Sequence, residues 1–525
     1  MKLQVAIATT VALATIFLVG CNQNSGDQLL NSPEYNMLLA DNNTSAIWSV
    51  DILEVIDKSG VQQLDLGMAG LVVDGLVQKI SDTALGGVDF SNNSYFAIKH
   101  DEQFNFDYSF TFYPVVDRSK VYATLKSTLG FITSGKHGSE GQYDTYLSAS
   151  GTVAAWDDRH LVILFSDREN KQNELITLAT TVLDNRYIDA EENESVRKYL
   201  GSEDDFNCFI DLEKSIKMSK EMGQLSVNEN LITAYHGGHA IGRANFTNGE
   251  INFTMELNAD KLVESQFNVF ADQSVSKEMI EFVTTDESIN VGVAYLKVDH
   301  LIDLMKNIEF ENGNLLNSII ESGISIGDFE EMLSGEVGIS VVNLKSATVP
   351  EEIDFFQEDS YYGLIESINI DPELIIGLGV SDGKGLADLL EGVPGLSNKE
   401  GVVEISGWYL IEQSGKIMLT ENFELAKKVA LGEQLFDGEL DVTEEEVKGP
   451  LYGNFNTNYG SYSNDVLMLL NDRLTESGIG KLWMAEKITL SGDPNRMNLR
   501  IVMKEKAKNS LGTFVDSMFE AIFSY

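Results

Sequence analysis

Several short stretches hold residue types that can do chemistry, and the spacing that the chemistry demands decides what each can be. Gly323-Ile324-Ser325-Ile326-Gly327 spells the G-x-S-x-G of a nucleophile elbow, where the serine ends a strand, opens a helix and is followed by an acid and then a histidine. Here His300 is the last histidine of the chain, and residues 315–321 ahead of the motif read as helical. The pattern therefore reads as a turn between two helices. Ser381-Asp382-Gly383-Lys384 spells S-x-x-K at a helix start, yet no S-D-N follows it and no K-[ST]-G lies downstream. Asp117-Arg118-Ser119-Lys120 stands at another helix start, so both stretches read as caps. Gly377-Leu378-Gly379 misses both phosphate-loop spacings, because Lys384 is followed by Gly385 where Ser or Thr is needed. No catalytic residue is assigned, and no cofactor is expected.

His236-Gly237-Gly238-His239 brings two potential metal ligands together, and the glycines would let both rings turn to one ion. A zinc site needs a third and usually a fourth ligand, which the sequence does not identify. His236 and His239 stand as metal candidates, beside the alternative of a glycine-rich loop that caps the following hairpin. Asn454, Asn456 and Asn458 approach a calcium loop, but Tyr459 sits where glycine is required.

The strongest motif is Leu18-Val19-Gly20-Cys21, which resembles a bacterial lipobox: Leu at minus three, a small or apolar residue, Gly, then the cysteine whose thiol is acylated. Met1-Lys2 supplies a positive start. The apolar run over 3–19, interrupted by Gln4 and threonines, is too short for a stop-transfer helix. Residues 1–20 read as a lipoprotein signal peptide and 21–45 as a lipidated tether, with Cys21 carrying the acyl groups. The remaining cysteine, Cys208, cannot form an intrachain disulfide once Cys21 is acylated. Alternation puts it on one strand face with Phe206 and Ile210, where it reads as buried and inert.

A formal net charge of −45 at pH 7 excludes nucleic acid as a partner, since phosphate would be repelled. It also argues against lying flat on anionic lipid, so membrane attachment is expected through the acyl chains alone. Glu203-Asp204-Asp205 and Glu444-Glu445-Glu446 are expected to be solvated loop faces.

The elements that must position these residues recur in order. Residues 46–50 read as a strand followed by a helix with Asp51 at its start, and Tyr295-Leu296-Lys297-Val298-Asp299 opens a second such unit. An aromatic strand over 108–116 running into a helix finds its partner at 374–380. The hairpin over 151–165 is matched by strands at 402–411 and 417–419. The Asn248-Gly249 hairpin, with its turn suited to positive φ, is matched by the turn at Gly492-Asp493-Pro494. The expected fold is α+β: two tandem, internally duplicated lobes at 46–285 and 286–525, each a mainly antiparallel sheet with helices packed on one face. Residues 346–372 read as a loop insertion.

In this order, Ala46-Ile47-Trp48-Ser49-Val50-Asp51, Gly86-Gly87-Val88-Asp89, Phe246-Thr247-Asn248-Gly249-Glu250-Ile251, Leu333-Ser334-Gly335-Glu336-Val337-Gly338-Ile339 and Lys508-Asn509-Ser510-Leu511 resemble an uncharacterised family of Bacteroides-type envelope lipoproteins of about 500 residues, carrying a domain of unknown function. The proline usual before the first strand is missing. The resemblance implies no catalytic residues. The expected function is a membrane-anchored envelope lipoprotein, most simply a non-enzymatic binding or assembly module with an envelope protein or glycan partner, in the outer membrane, on its periplasmic or surface side. The alternative is an envelope hydrolase whose site is assembled from dispersed residues in an interlobe cleft.

Overall fold

The computed structural model describes residues 33–39, 44–50, 52–59, 77–78, 81–82, 86–90, 94–101, 106–128, 135–148, 152–165, 171–188, 204–221, 235–259, 268–307, 309–310, 313–314, 324–346, 370–381, 385–387, 398–399, 401–405, 407–438, 440–456 and 485–513, with single positions at 196, 199, 233 and 320. The chain divides into two compact units, one of residues 1–265 with 505–525 and one of residues 266–504. Residues 266–285 thus belong with the second unit and 505–525 with the first.

The first unit carries helix α1 (Pro33–Leu39), strand β1 (Thr44–Val50), helix α2 (Ile52–Ser59), strands β2 (Ser94–Asp101) and β3 (Phe106–Pro114), helix α3 (Arg118–Thr128), strands β4 (Gly135–Glu140), β5 (Tyr143–Ser148), β6 (Val153–Trp156) and β7 (His160–Phe165), helix α4 (Gln172–Asn185), strand β8 (Phe206–Asp211), helix α5 (Leu212–Glu221) and strands β9 (His239–Thr247) and β10 (Glu250–Asn258). Antiparallel pairings set the order β4-β5-β6-β7-β3-β2-β1-β8-β9-β10.

In the second unit, helix α6 (Lys277–Val283), strand β11 (Asn290–Tyr295), helices α7 (Val298–Asn307) and α8 (Ile326–Met332), strands β12 (Leu333–Ser346), β13 (Ile370–Val380), β14 (Asn398–Lys399), β15 (Val402–Ile405), β16 (Trp408–Gln413) and β17 (Lys416–Thr420), helix α9 (Phe423–Ala430) and strands β18 (Leu451–Asn456), β19 (Ala485–Asp493) and β20 (Arg496–Met503) follow in turn. Their antiparallel order is β14-β15-β16-β17-β13-β12-β11-β18-β19-β20, the same order of pairing as in the first unit. Glu309–Phe310 and Gly313–Asn314 make a separate small hairpin.

The expected fold class is corrected on two points. The halves do not have a sheet each: β1 to β20 belong to one 20-stranded antiparallel sheet. Nor do helices pack on one face. In the first unit Val162 and Leu164 join Met37, Leu38, Leu175 and Ala179 from α1 and α4, while Leu161 and Ile163 on the opposite face join Val121 and Leu125 from α3. In the second, Ile375 and Met418 meet α6 and α9, and Ile376 and Leu419 meet the cluster of α7 and α8. The cause lies in the central strands. His160–Phe165 and Val153–Trp156 are apolar at nearly every position, which is the pattern of strands buried on both faces.

Two smaller expectations also change. The strand expected over 402–411 is a hairpin, β15 and β16, that turns at Gly407 with φ 85°. The loop expected over 346–372 is entered and left by strand, since Ser346 pairs with Ile370 and Lys345 with Asp371. Elsewhere glycine permits a close approach: Gly338 and Gly377 are cross-strand partners, and a Cβ on either would lie 2.9 or 2.6 Å from Val283 Cγ1 of α6. That helix is capped by Ser276, whose side chain accepts from Met279 N at 3.1 Å.

Candidate functional site

Cys21 and the rest of the lipobox lie outside the described residues. The metal candidates lie beside one another in sequence but take different partners. His236, exposed in the turn before β9, has Nδ1 2.6 Å from Glu213 Oε2 in α5, and the ring of His239 stacks on Phe209 at 5.7 Å. Among the described residues no group of three or more His, Cys, Asp or Glu gathers as a metal site.

The two serines differ in what their side chains do: that of Ser325 makes no capping bond, whereas that of Ser381 bonds the backbone. Ser325 sits in extended backbone just before α8, its carbonyl accepting from Phe329 N at 3.0 Å. Ser381 Oγ donates to Leu333 O at 2.9 Å, and its amide donates to Met332 O, so it ties the end of β13 to the start of β12. Asp117 caps α3 by accepting from Ser119 N at 3.1 Å and Ser119 Oγ at 2.6 Å. Cys208 is buried opposite Gly242, and burial pushes its thiol up.

Two polar constellations that sequence reasoning missed stand out. In the first unit, Arg186 follows α4 with only 3 % of its side chain exposed. It donates to Asp157 Oδ2 and lies 3.2 Å from His160 Nδ1, while His160 Nε2 lies 2.6 Å from Glu34 Oε1 of α1. Because guanidinium can only donate, the contact from Arg186 suits an accepting Nδ1 and leaves Nε2 to donate toward Glu34. Burial alone would raise the Asp157 carboxyl; bonds from Arg186 and from the His160 and Arg159 amides outweigh it and hold it at about 2. Nearby, Tyr143 donates to Asp184, and burial with that bond pushes the phenol to about 12.

The second constellation covers one face of β18–β20. Asn454 is the cross-strand partner of Thr489, which is the partner of Arg500; Tyr452 pairs with Ser491. With strand alternation these residues and Lys487 share a face. Loop 441–448 lies over them. Lys487 Nζ donates to the Asp441 carbonyl and lies 3.3 Å from its Oδ2, and Arg500 Nη1 is 3.6 Å from Glu446 Oε1. Within the loop Thr443 N donates to Glu446 Oε2 at 2.8 Å and Glu446 N donates back to Thr443 Oγ1 at 3.3 Å. On the strands Tyr452 OH, Asn454 Oδ1 and Thr489 Oγ1, and in the loop Glu446 Oε1, are buried without a hydrogen-bond partner. Burial, with the nearby Glu446 and Asp441 carboxylates, pushes the Tyr452 phenol far up.

The acidic runs expected to be solvated are partly buried. Glu446 is 7 % exposed and Asp205 is 3 % exposed, with Asp205 Oδ1 2.5 Å from Lys58 Nζ. A signal was available for Glu446: a polar strand face, Asn454, Thr489, Ser491, Asn498 and Arg500, where a sheet covered on both sides would want apolar residues.

No protein-family model and no curated protein matches the sequence. Among solved structures, a chain described as "Structure of crystal form IV of TP0453" is similar over 45 % of this chain and 84 % of that one, at 6 % identity and a TM-score of 0.26. A likeness at that score carries no argument about fold or function.

Proposed function

We propose that this chain is a lipid-anchored bacterial envelope lipoprotein, of the Bacteroides-type family that its sequence resembles, and that it acts by binding a partner and not by catalysis. The observation that carries the reading is Leu18-Val19-Gly20-Cys21 behind a short apolar run. No helix among the described residues is long and apolar enough to cross a membrane. The binding half is supported by Ser381, whose Oγ donates to Leu333 O, and by the buried polar groups left unpaired beneath loop 441–448. The partner expected is an envelope protein or glycan, with attachment in the outer membrane.

Intact-mass analysis of the detergent-extracted protein tests the reading. The expected product begins at Cys21 and carries diacylglycerol on its thiol. An unmodified chain, or one beginning elsewhere, overturns the anchor. Stoichiometric reaction of Ser325 or Ser381 with a fluorophosphonate overturns the binding reading in favour of a hydrolase.

A further inference from the structure

Lys487 and Arg500 are the two cations met by loop 441–448 on the polar face of β18–β20, which also carries Arg496 near its turn, in a chain whose formal net charge is −45. Both are met by carboxylates of the same short loop, Lys487 by Asp441 and Arg500 by Glu446. The fit is incomplete. Glu446 Oε1 stands 3.6 Å from Arg500 Nη1, outside hydrogen-bond range, and the loop leaves Tyr452 OH, Asn454 Oδ1 and Thr489 Oγ1 buried and unpaired. Native interiors pair such groups, and sealing several under one loop penalises the closed arrangement. An extended backbone on this face would supply amide donors to Asn454 and acceptors to the Tyr452 and Thr489 hydroxyls.

We propose that this face is a binding site for an acidic peptide segment of a partner protein, and that loop 441–448 occupies it in the unliganded chain as a tethered stand-in. The choice of a peptide follows from the occupant seen: a stretch of chain presenting carboxylates at 441 and 446 to Lys487 and Arg500. The inference rests on the reading of the chain as a binding module and names its site. Electrostatic pairing of this kind sets specificity and association rate, and weakens with salt. Displacement by a partner would release the buried Glu446 to water, Asp441 being exposed already, so the loop also sets a threshold that only a better-fitting acidic segment crosses.

The test uses the full acylated chain in detergent and a fluorescent synthetic peptide with the sequence of residues 440–448. Its binding is followed by anisotropy for the native protein and for the double variant Asp441→Asn, Glu446→Gln, whose loop has lost both carboxylates that meet the cations. The expected result is roughly tenfold tighter binding by the variant, lost when Arg500→Ala is added and lost in high salt. Equal binding by native and variant chains, retention of the gain with Arg500→Ala, or equal binding of a peptide with its acids amidated overturns the proposal. Hydrogen exchange on the native chain gives a second readout that needs no variant to fold: saturating peptide should speed exchange in 441–448, and unchanged exchange there contradicts displacement. A saccharide acid that displaces the loop where the peptide fails would reassign the site to glycan. None of these results bears on whether Cys21 is acylated, so failure here leaves the anchor to its own test.

Discussion

Glu34 Oε1 lies 2.6 Å from His160 Nε2, so the first turn of α1, which falls within residues 21–45 expected to be a tether, is joined to the start of β7. Asn36 Nδ2 adds a bond to Arg186 O at 3.2 Å, and Tyr35, Met37 and Leu38 are buried in the same core. The stretch nearest the expected anchor is thereby built into the first unit by apolar packing together with a polar network.

Arg186 is the hinge of that network, since it serves Asp157 and His160 at once. Arg186→Met should cost about 3 to 5 kcal/mol, because it leaves the Asp157 carboxylate largely desolvated and without its cation. Adding Asp157→Asn should restore part of the loss, as expected when the penalty is an uncompensated charge. Urea unfolding measures both, and a single-variant loss under about 0.5 kcal/mol would contradict the network's role.

Asp157 also fixes a pH dependence. Its folded value, about 2, lies below the ordinary carboxylate value, so its contribution is complete above about pH 4 and fades as pH falls toward 2. The contribution is on the order of 2 kcal/mol. The Asp157→Asn variant should therefore lose less stability than the native chain between pH 4 and about 2. Parallel acid profiles for the two proteins would refute this.

Much of the local structure was legible because turn chemistry is local. Asn248-Gly249 fixes the β9–β10 hairpin, with Gly249 at φ 75°, and Gln413-Ser414-Gly415 turns β16 into β17 with Ser414 at φ 54° and Gly415 at 72°. Coverage of the sheet was not legible in the same way. Alternation reports which residues share a face, but whether the second face is wet depends on helices far away in sequence, as where α3 covers Leu161 and Ile163. The polar networks were hidden for a similar reason: Glu34 meets His160 across 126 residues and Glu446 meets Arg500 through the tertiary fold, so neither leaves a spacing to find. Cys208, by contrast, was readable from Phe206 and Ile210 on its own strand, all three lying on one face.

Cys208 gives a packing prediction. A Cβ added at Gly242 would lie 2.5 Å from its Sγ and 3.1 Å from the Phe253 ring. Gly242→Ala should cost about 1 to 3 kcal/mol through overpacking. In the native chain Cys208 should react with a thiol reagent only as the protein unfolds, since burial pushes its thiol up and hides it. Rapid labelling of the folded protein would show that the β8–β9 region opens on its own.

The account depends most on Cys21, and one measurement addresses it directly. Native protein and the Cys21→Ser variant are expressed in a Gram-negative host with labelled palmitate, and membranes are separated from soluble fractions. The account predicts label and membrane retention for the native chain, and for Cys21→Ser an unlabelled chain that is either released or left unprocessed at Gly20. Equal labelling and equal membrane retention of the two proteins would contradict the anchor.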